Sequence, residues 1–299
     1  MKLIYSVKNE CEYKTVRDIA YDYFMISKKY LPVIKHASNI LLNGKPAWPD
    51  MPVKTGDTVV FDLCEYEEVY EKPEPMDLKI IFEDEAFIAF NKPPYMPVHT
   101  SIRHQSGTLA NGAAAMFASR GIKNKIRIIN RLDRNTSGIC LVAKNRYAQE
   151  RISQQIKAGM LYKEYRGIVE GILEKTEGII SSCISRADDG TIKRVCGGKG
   201  KESVTQYQVL SNNGNFSELK FIMHTGRTHQ IRVHMAMIGH PIAGDEMYGF
   251  ASEDMRRQAL YCSCLKFTHP LNNNVIEIRV PMPNDIAQFY GSIKTQKEI

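Results

Sequence analysis

The stretch Arg131-Leu132-Asp133-Arg134-Asn135-Thr136-Ser137-Gly138 runs directly into the apolar segment Ile139-Cys140-Leu141-Val142-Ala143. A carboxylate between two arginines stands at the mouth of what reads as a buried strand. Arginine stays protonated in proteins, so this neighbourhood favours Asp133 as an anion even where water is scarce. Two readings fit. Asp133 is an anionic nucleophile in an electropositive pocket, or it is a solvated loop acid among surface arginines.

The rest of the chain bounds the choice. Its 299 residues are 43% hydrophobic and 24% charged, enough for two globular domains or one large one. A net charge of +7 favours an anionic partner such as nucleic acid without requiring one. The start, Met1-Lys2-Leu3-Ile4-Tyr5-Ser6-Val7-Lys8, reaches charge too quickly for a signal peptide. No apolar run approaches the roughly 20 residues that span a bilayer. The cysteines Cys11, Cys64, Cys140, Cys183, Cys196, Cys262 and Cys264 are odd in number and scattered, without a C-x-x-C pair. Free thiols in a reducing cytoplasm are expected, with neither a zinc site nor a membrane attachment. Cys262 and Cys264 read as one face of a strand pointing into a core.

The first boundary is Glu71-Lys72-Pro73-Glu74-Pro75-Met76, where two prolines among charges read as a linker with few contacts. The acidic patch before it, Asp62, Glu65, Glu67 and Glu68, reads as a solvated edge. Further upstream, Thr15–Met25 has helical spacing, and Thr15 followed by Asp18 is a capping start. Ser27–Lys35 reads as a second helical segment, disturbed by Pro32. Ile40-Leu41-Leu42-Asn43-Gly44-Lys45-Pro46 is a strand entering an Asn-Gly turn, and Thr58–Phe61 is another strand. Helix, helix, "ILLNGKP" and "VKTGDTVV" together resemble an S4-type RNA-binding module. That resemblance assigns Arg17, Lys28, Lys29 and Lys35 to RNA phosphates.

After the linker, Leu78–Phe82 and Ala86–Asn91 read as a hairpin and Tyr147–Met160 as an amphipathic, core-facing helix with Ala148, Ile152, Ile156 and Met160 on one face. Tyr165–Val169, Thr205–Leu210, Ser217–His224, Ala259–Phe267 and Val275–Pro281 read as strands, and Asp188-Asp189-Gly190 as a hairpin tip. Cys196-Gly197-Gly198-Lys199-Gly200-Lys201 fails the phosphate-loop pattern, because Glu202 follows Gly-Lys where Ser or Thr belongs.

Four segments of this second part appear in order: Asn91-Lys92-Pro93-Pro94-Tyr95-Met96-Pro97-Val98-His99, Arg131–Lys144, Tyr162-Lys163-Glu164-Tyr165-Arg166, and Thr225-Gly226-Arg227-Thr228-His229-Gln230-Ile231-Arg232-Val233-His234 continuing through Asp245. Together they resemble the RluA-type pseudouridine synthases. The resemblance implies an α+β fold: a mixed, mostly antiparallel central sheet with flanking helices over residues 77–299, a linker at 71–76, and a small α/β S4-like domain over 1–70. It implies an isomerase that detaches uracil from C1′ of a uridine in ribosomal or transfer RNA and rejoins it through C5, without a cofactor. No obligate protein partner is evident, so a monomer is expected.

In this resemblance Asp133 matches the catalytic aspartate, Tyr165 a base-stacking tyrosine whose hydroxyl could assist proton transfer, and Arg227 the arginine paired with the aspartate. Arg131 matches an arginine that enters the RNA stack when the uridine flips out, which C1′ chemistry requires. Arg134, Lys92, His229 and Arg232 are expected to line the RNA groove or satisfy local hydrogen bonds, and His99 and His269 to be structural. Without the resemblance, Tyr165 reads as a core tyrosine and Arg227 as a surface arginine in a turn. His229 and His234 would fall on opposite faces of a strand, which argues against a metal site. Three positions depart from the family pattern: Asn130 and Tyr261 stand where histidine is common, and Thr100 where proline is common. The competing readings are a non-catalytic RNA-binding protein on the same fold and a glycosylase that stops at base release.

Overall fold

The computed structural model describes residues 1–8, 13–36, 38–63, 69–101, 104–122 and 124–295. Cys11, Cys64, Glu65, Glu67 and Glu68 lie outside the described residues.

In chain order, the first unit contains β1 (Lys2–Ser6), α1 (Val16–Asp18), α2 (Leu31–His36), β2 (Ile40–Leu42), β3 (Lys45–Pro46) and β4 (Thr58–Asp62). The second contains β5 (Ile80–Glu83), β6 (Phe87–Lys92), α3 (Leu109–Ser119), β7 (Arg127–Ile128), β8 (Ser137–Ala143), α4 (Arg146–Lys157), β9 (Tyr162–Glu170) and β10 (Glu177–Arg186). It continues with β11 (Arg194–Cys196), β12 (Lys201–Asn213), β13 (Phe216–Met223), α5 (Gln230–Met237), β14 (Leu260–Thr268), β15 (Val275–Arg279) and α6 (Asn284–Thr295).

The small sheet has the order β1-β4-β2-β3. Thr15 caps α1 reciprocally with Asp18, as the spacing predicts, but the next residues, Ile19–Tyr23, widen into a π-helical turn. Pro32 is accommodated because it falls in the first turn of α2, where its missing N–H has no intrahelical partner to lose. Asn43 and Gly44 both take positive φ, 51° and 76°, the backbone a two-residue hairpin needs. Asn43 locks that turn by accepting from Thr58 N at 2.8 Å and donating to Asp57 at 2.8 Å. Val16, Ile19, Leu31, Ile34, Val59 and Phe61 close a core of its own.

The large sheet has eleven strands in the order β11-β10-β12-β13-β9-β14-β8-β6-β5, with β15 beside β14 and β7 beside β8. This is an α+β architecture. The β14–β8 pair is parallel, and the neighbouring pairs are antiparallel. β8 is buried along its whole length, which explains its unbroken apolar sequence. Gly138, at φ 103°, lies where β8 meets β14. A Cβ there would sit 2.3 Å from the Cys262 carbonyl oxygen, so only glycine fits. The strand expected at Val275–Pro281 ends at Arg279, because proline cannot donate to a ladder.

Two expectations change. The segment Glu71–Met76 is fastened to the second unit: Glu74 N donates to Asn111 O, Asn111 Nδ2 to Lys72 O, and Gly107 N to the Glu74 carboxylate. The helix at Tyr147–Met160 is core-facing over only part of its length. Ala148 and Ile152 are buried, whereas Ile156 and Met160 are exposed. Tyr147 inserts into the small unit's core and donates to Phe24 O at 2.9 Å, and the Arg146 guanidinium lies 4.8 Å from the Tyr30 ring centroid. The two units therefore meet along α4.

Candidate active site

Asp133 stands in the loop that leads into β8. Thr136 N donates to the Asp133 carbonyl, closing a turn immediately before β8. Asn130 sits behind it, donating to Ile139 O and accepting from Leu141 N, both at 2.8 Å. The amide thus stitches the loop to the β8 backbone, so the first departure from the family pattern is met by a complete pair of hydrogen bonds. Tyr261 is buried on β14 and Thr100 is exposed.

Lys92 is fully buried, and its Nζ donates to Pro93 O, Met96 O and Arg134 O. It ties the Asp133 loop to the 93–96 turn, so of the two expectations for it, groove lining and local hydrogen bonding, it meets the second. Burial pushes its ammonium down to about 7.

The partner of Asp133 is Arg232, not Arg227. Arg232 Nη1 donates to Asp133 Oδ2 at 3.0 Å, while its Nε and Nη2 grip Asp245 at 2.6 and 2.8 Å. Burial by itself would lower the Arg232 pKa, but the Asp245 hydrogen bonds and the two carboxylate charges outweigh it and raise it. Arg232 stands in the first turn of α5, so the expected strand through His229 and His234 is a helix. His229 caps it in the left-handed region at φ 58°. Its Nδ1 lies 2.9 Å from Tyr248 Oη and its Nε2 3.9 Å from Asp133 Oδ2. His229 is therefore part of the arginine–aspartate cluster. The Tyr248 ring lies 5.0 Å from the Arg232 guanidinium. His234 points elsewhere, between Ser203 and Thr205 at 3.0 Å each.

Arg227 is exposed in the β13–α5 loop, its Nε donating to Glu202 O at 3.0 Å. It lines the same cleft as Asp133 without touching it. Tyr165 on β9 is buried; it pairs in register with Cys262 of β14, which pairs in turn with Gly138 of β8. Burial, with the Cys262 thiol and the Asp133 charge, holds the phenol well above its usual range. Proton acceptance by a Tyr165 phenolate is disfavoured, and a neutral aromatic surface remains.

Asn130, Asp133, Tyr165 and Arg227 line a cleft of 610 Å³. Its rim carries Arg131, Arg134, Lys163 and Arg227, and Asp133 is the single carboxylate among the described residues that line it. Arg131 and Arg134 are exposed; Arg134 Nε donates to Tyr95 O at 3.2 Å. His99, expected to be structural, also lines the cleft. His269 is buried 3.1 Å from Asp84, away from the cleft. Of the basic residues of the first unit, Arg17 pairs with Asp50 at 2.8 Å, Lys35 lies over Trp48, and Lys28 and Lys29 are exposed. Asp245 and Tyr248 join the site without any local sequence signal that would mark them. The Gly-Asp pair at 244–245 was visible, but no local pattern says that it faces Arg232. Among the described residues no cluster of His, Cys, Asp and Glu could hold a metal ion.

The cleft is built to take an anionic, planar group: cations at the rim, an aromatic wall, and one oriented carboxylate inside. The comparisons agree. A family model described as RNA pseudouridylate synthase matches residues 86–237. The chain is 36% identical over 267 residues to "Uncharacterized RNA pseudouridine synthase YjbO" of Bacillus subtilis, covering 88% of this chain and 94% of that protein. It is 31% identical over 242 residues to "Ribosomal large subunit pseudouridine synthase D" of Pasteurella multocida, covering 76% and 74%. Human RNA Pseudouridylate Synthase Domain Containing 1 superposes with a TM-score of 0.56 at 27% identity, covering 70% of this chain and 86% of that one. The chain therefore belongs to the RNA pseudouridine synthases of the RluA type, isomerases that act on RNA.

Proposed function

We propose that this enzyme isomerises specific uridines of structured RNA, ribosomal RNA in the first instance and transfer RNA as the alternative, with Asp133 as its catalytic carboxylate. The observation that carries the reading is Asp133, the one carboxylate among the described residues that line a cation-rimmed cleft, oriented by Arg232. The name of the Pasteurella relative supports a ribosomal substrate.

A uridine inside a stacked helix hides C1′ and both faces of its base, so it must flip into the cleft. Arg131, Arg134 and Arg227 meet the phosphates of the distorted strand, and Tyr165 supports the base. As the C1′–N1 bond breaks, its electron pair leaves with N1 and positive character develops at C1′, which the Asp133 carboxylate stands to stabilise or to trap as nucleophile. Uracil then turns, C5 bonds to C1′, and the C5 proton leaves as N1 gains one. Substrate and product have the same atoms and electrons, so no redox partner enters. Residues 1–70 act as an S4-like RNA-binding domain that adds phosphate contacts through Arg17, Lys28, Lys29 and Lys35.

The test is to map pseudouridines in ribosomal and transfer RNA from cells with and without the gene, and with the gene carrying Asp133→Asn. One or more sites should vanish in the deletion and fail to return with the variant. Identical maps in all three would sink the proposal, and release of free uracil by the purified enzyme would mark a glycosylase instead.

A further inference from the structure

Trp48 is the chain's only tryptophan, and it is 57% exposed. It follows β3, the edge strand of the small sheet. The small core closes without it, ending at the neighbouring Ala47. A ring this large normally gains by burial, yet its backbone is held firmly in an outward position. Met51 N donates to Trp48 O, Arg17 N to Pro49 O at 2.7 Å, and Val16 N to Met51 O at 3.0 Å, while the Arg17 guanidinium grips Asp50. Lys35 Nζ from the last turn of α2 lies 5.0 Å from the ring centroid.

We propose that Trp48 and Lys35 form a binding element for single-stranded RNA, in which an unpaired base stacks on the indole and the ammonium meets the adjoining phosphate. The inference rests on the RNA-modifying reading above and deepens it. Aromatic ring plus cation is the minimal element for holding single strands, because every base offers a π-face and every linkage a charge. A duplex keeps those faces covered. The fastened turn presents the ring with little ordering left to do on binding. Position fits as well. The small unit meets α4 through Phe24 and Met25, and Ile156 of the same helix lines the cleft. Arg151, which donates to Met25, is five residues before Ile156, about 7.5 Å along a helix. The small unit thus lies against the helix that borders the cleft.

Because Trp48 is the only tryptophan, its emission reports on this ring alone. Full-length protein is titrated with an oligouridylate of about 12 nucleotides, and binding is followed separately by the anisotropy of a labelled copy. Trp48 emission should quench saturably with the same midpoint as the anisotropy, and a duplex RNA of equal phosphate content should quench far less. Trp48→Ala should weaken single-strand binding by about tenfold or more, and Trp48→Phe should restore most of it. Binding with unchanged emission, no binding at all, or Trp48→Ala binding like the wild type would overturn the inference. An emission change driven by protein concentration alone would also overturn it, and would assign the ring to a second copy of the chain. Pseudouridine formation by the same preparation in cellular RNA is scored in parallel. Its absence would count against the proposed function, whereas its presence beside an unresponsive Trp48 would refute the stacking platform alone.

Discussion

Arg232 and Asp133 are 99 positions apart in the chain and 3.0 Å apart in space. The same guanidinium closes a two-bond grip on Asp245, which is 1% exposed. Asp133 is thus the outer end of a buried three-member chain of charge, with one side toward the cleft. Replacing Asp133 by Asn preserves shape and removes the anion. Folding and RNA binding should persist, and activity should fall by far more than tenfold. Retention within about tenfold, only ~1.4 kcal/mol of barrier, would exclude Asp133 as the essential group.

Arg232→Ala should be inactive and also less stable. It strands the buried Asp245 without a counter-charge, a change that costs roughly 3–5 kcal/mol. Urea denaturation checks this, and a destabilisation below about 1 kcal/mol would mean that Asp245 finds another partner.

Arg227→Ala should behave differently. Its side chain is exposed and holds one backbone carbonyl, so stability should stay within about 0.5 kcal/mol. Weaker RNA binding should appear as a raised KM with a smaller change in kcat. A large drop in stability would restore the pairing that the sequence resemblance implies.

His234 is fully buried between two hydroxyls, and burial pushes its pKa from 6.5 to about 4. The unfolded chain therefore takes up a proton before the folded one as pH falls. Stability from this group is complete above about 6.5 and is lost as pH drops toward 4, by roughly 2–3 kcal/mol at pH 4.5. His234→Asn should be less stable at pH 7 but should lose less between pH 7 and 4.5. Parallel urea midpoints for the two proteins, equally pH-dependent, would show that His234 is not the titrating group.

Removing residues 1–70 should leave the large sheet folded, because it has its own core. The cut exposes Tyr147, now 2% exposed, so some decrease in solubility is expected. Every phosphate interaction removed with the first unit should flatten the log–log salt slope of RNA binding by roughly 0.7–0.9. Titrations at several salt concentrations, full-length against truncated, measure this directly. An unchanged slope would mean that Arg17, Lys28, Lys29 and Lys35 do not touch RNA.

Local physics made much of this molecule legible from its sequence. The apolar run 139–143 reads as a buried strand, and it is one. Asn43-Gly44 reads as a tight turn and Thr15 with Asp18 as a capped helix start, and both form as read. The electropositive setting of Asp133 is legible from Arg131 and Arg134 on either side of it, whereas Tyr165 joins it only through the resemblance of motifs far apart in the chain. The strand, turn, cap and charge signals are short-range, carried by residues within a few positions of each other. The partner of Asp133 is not. Arg227 and Arg232 stand five residues apart in one segment, and only the turn at Gly226 followed by the helix at Gln230 aims Arg232 inward and leaves Arg227 outside. The same long-range packing buries Lys92 under three carbonyls, brings Asp245 to the site, and docks Tyr147 into the first unit. Which charges meet depends on how strands and helices stack across the sheet, and that is decided by tertiary structure because interaction energies between distant segments leave no local pattern in the chain.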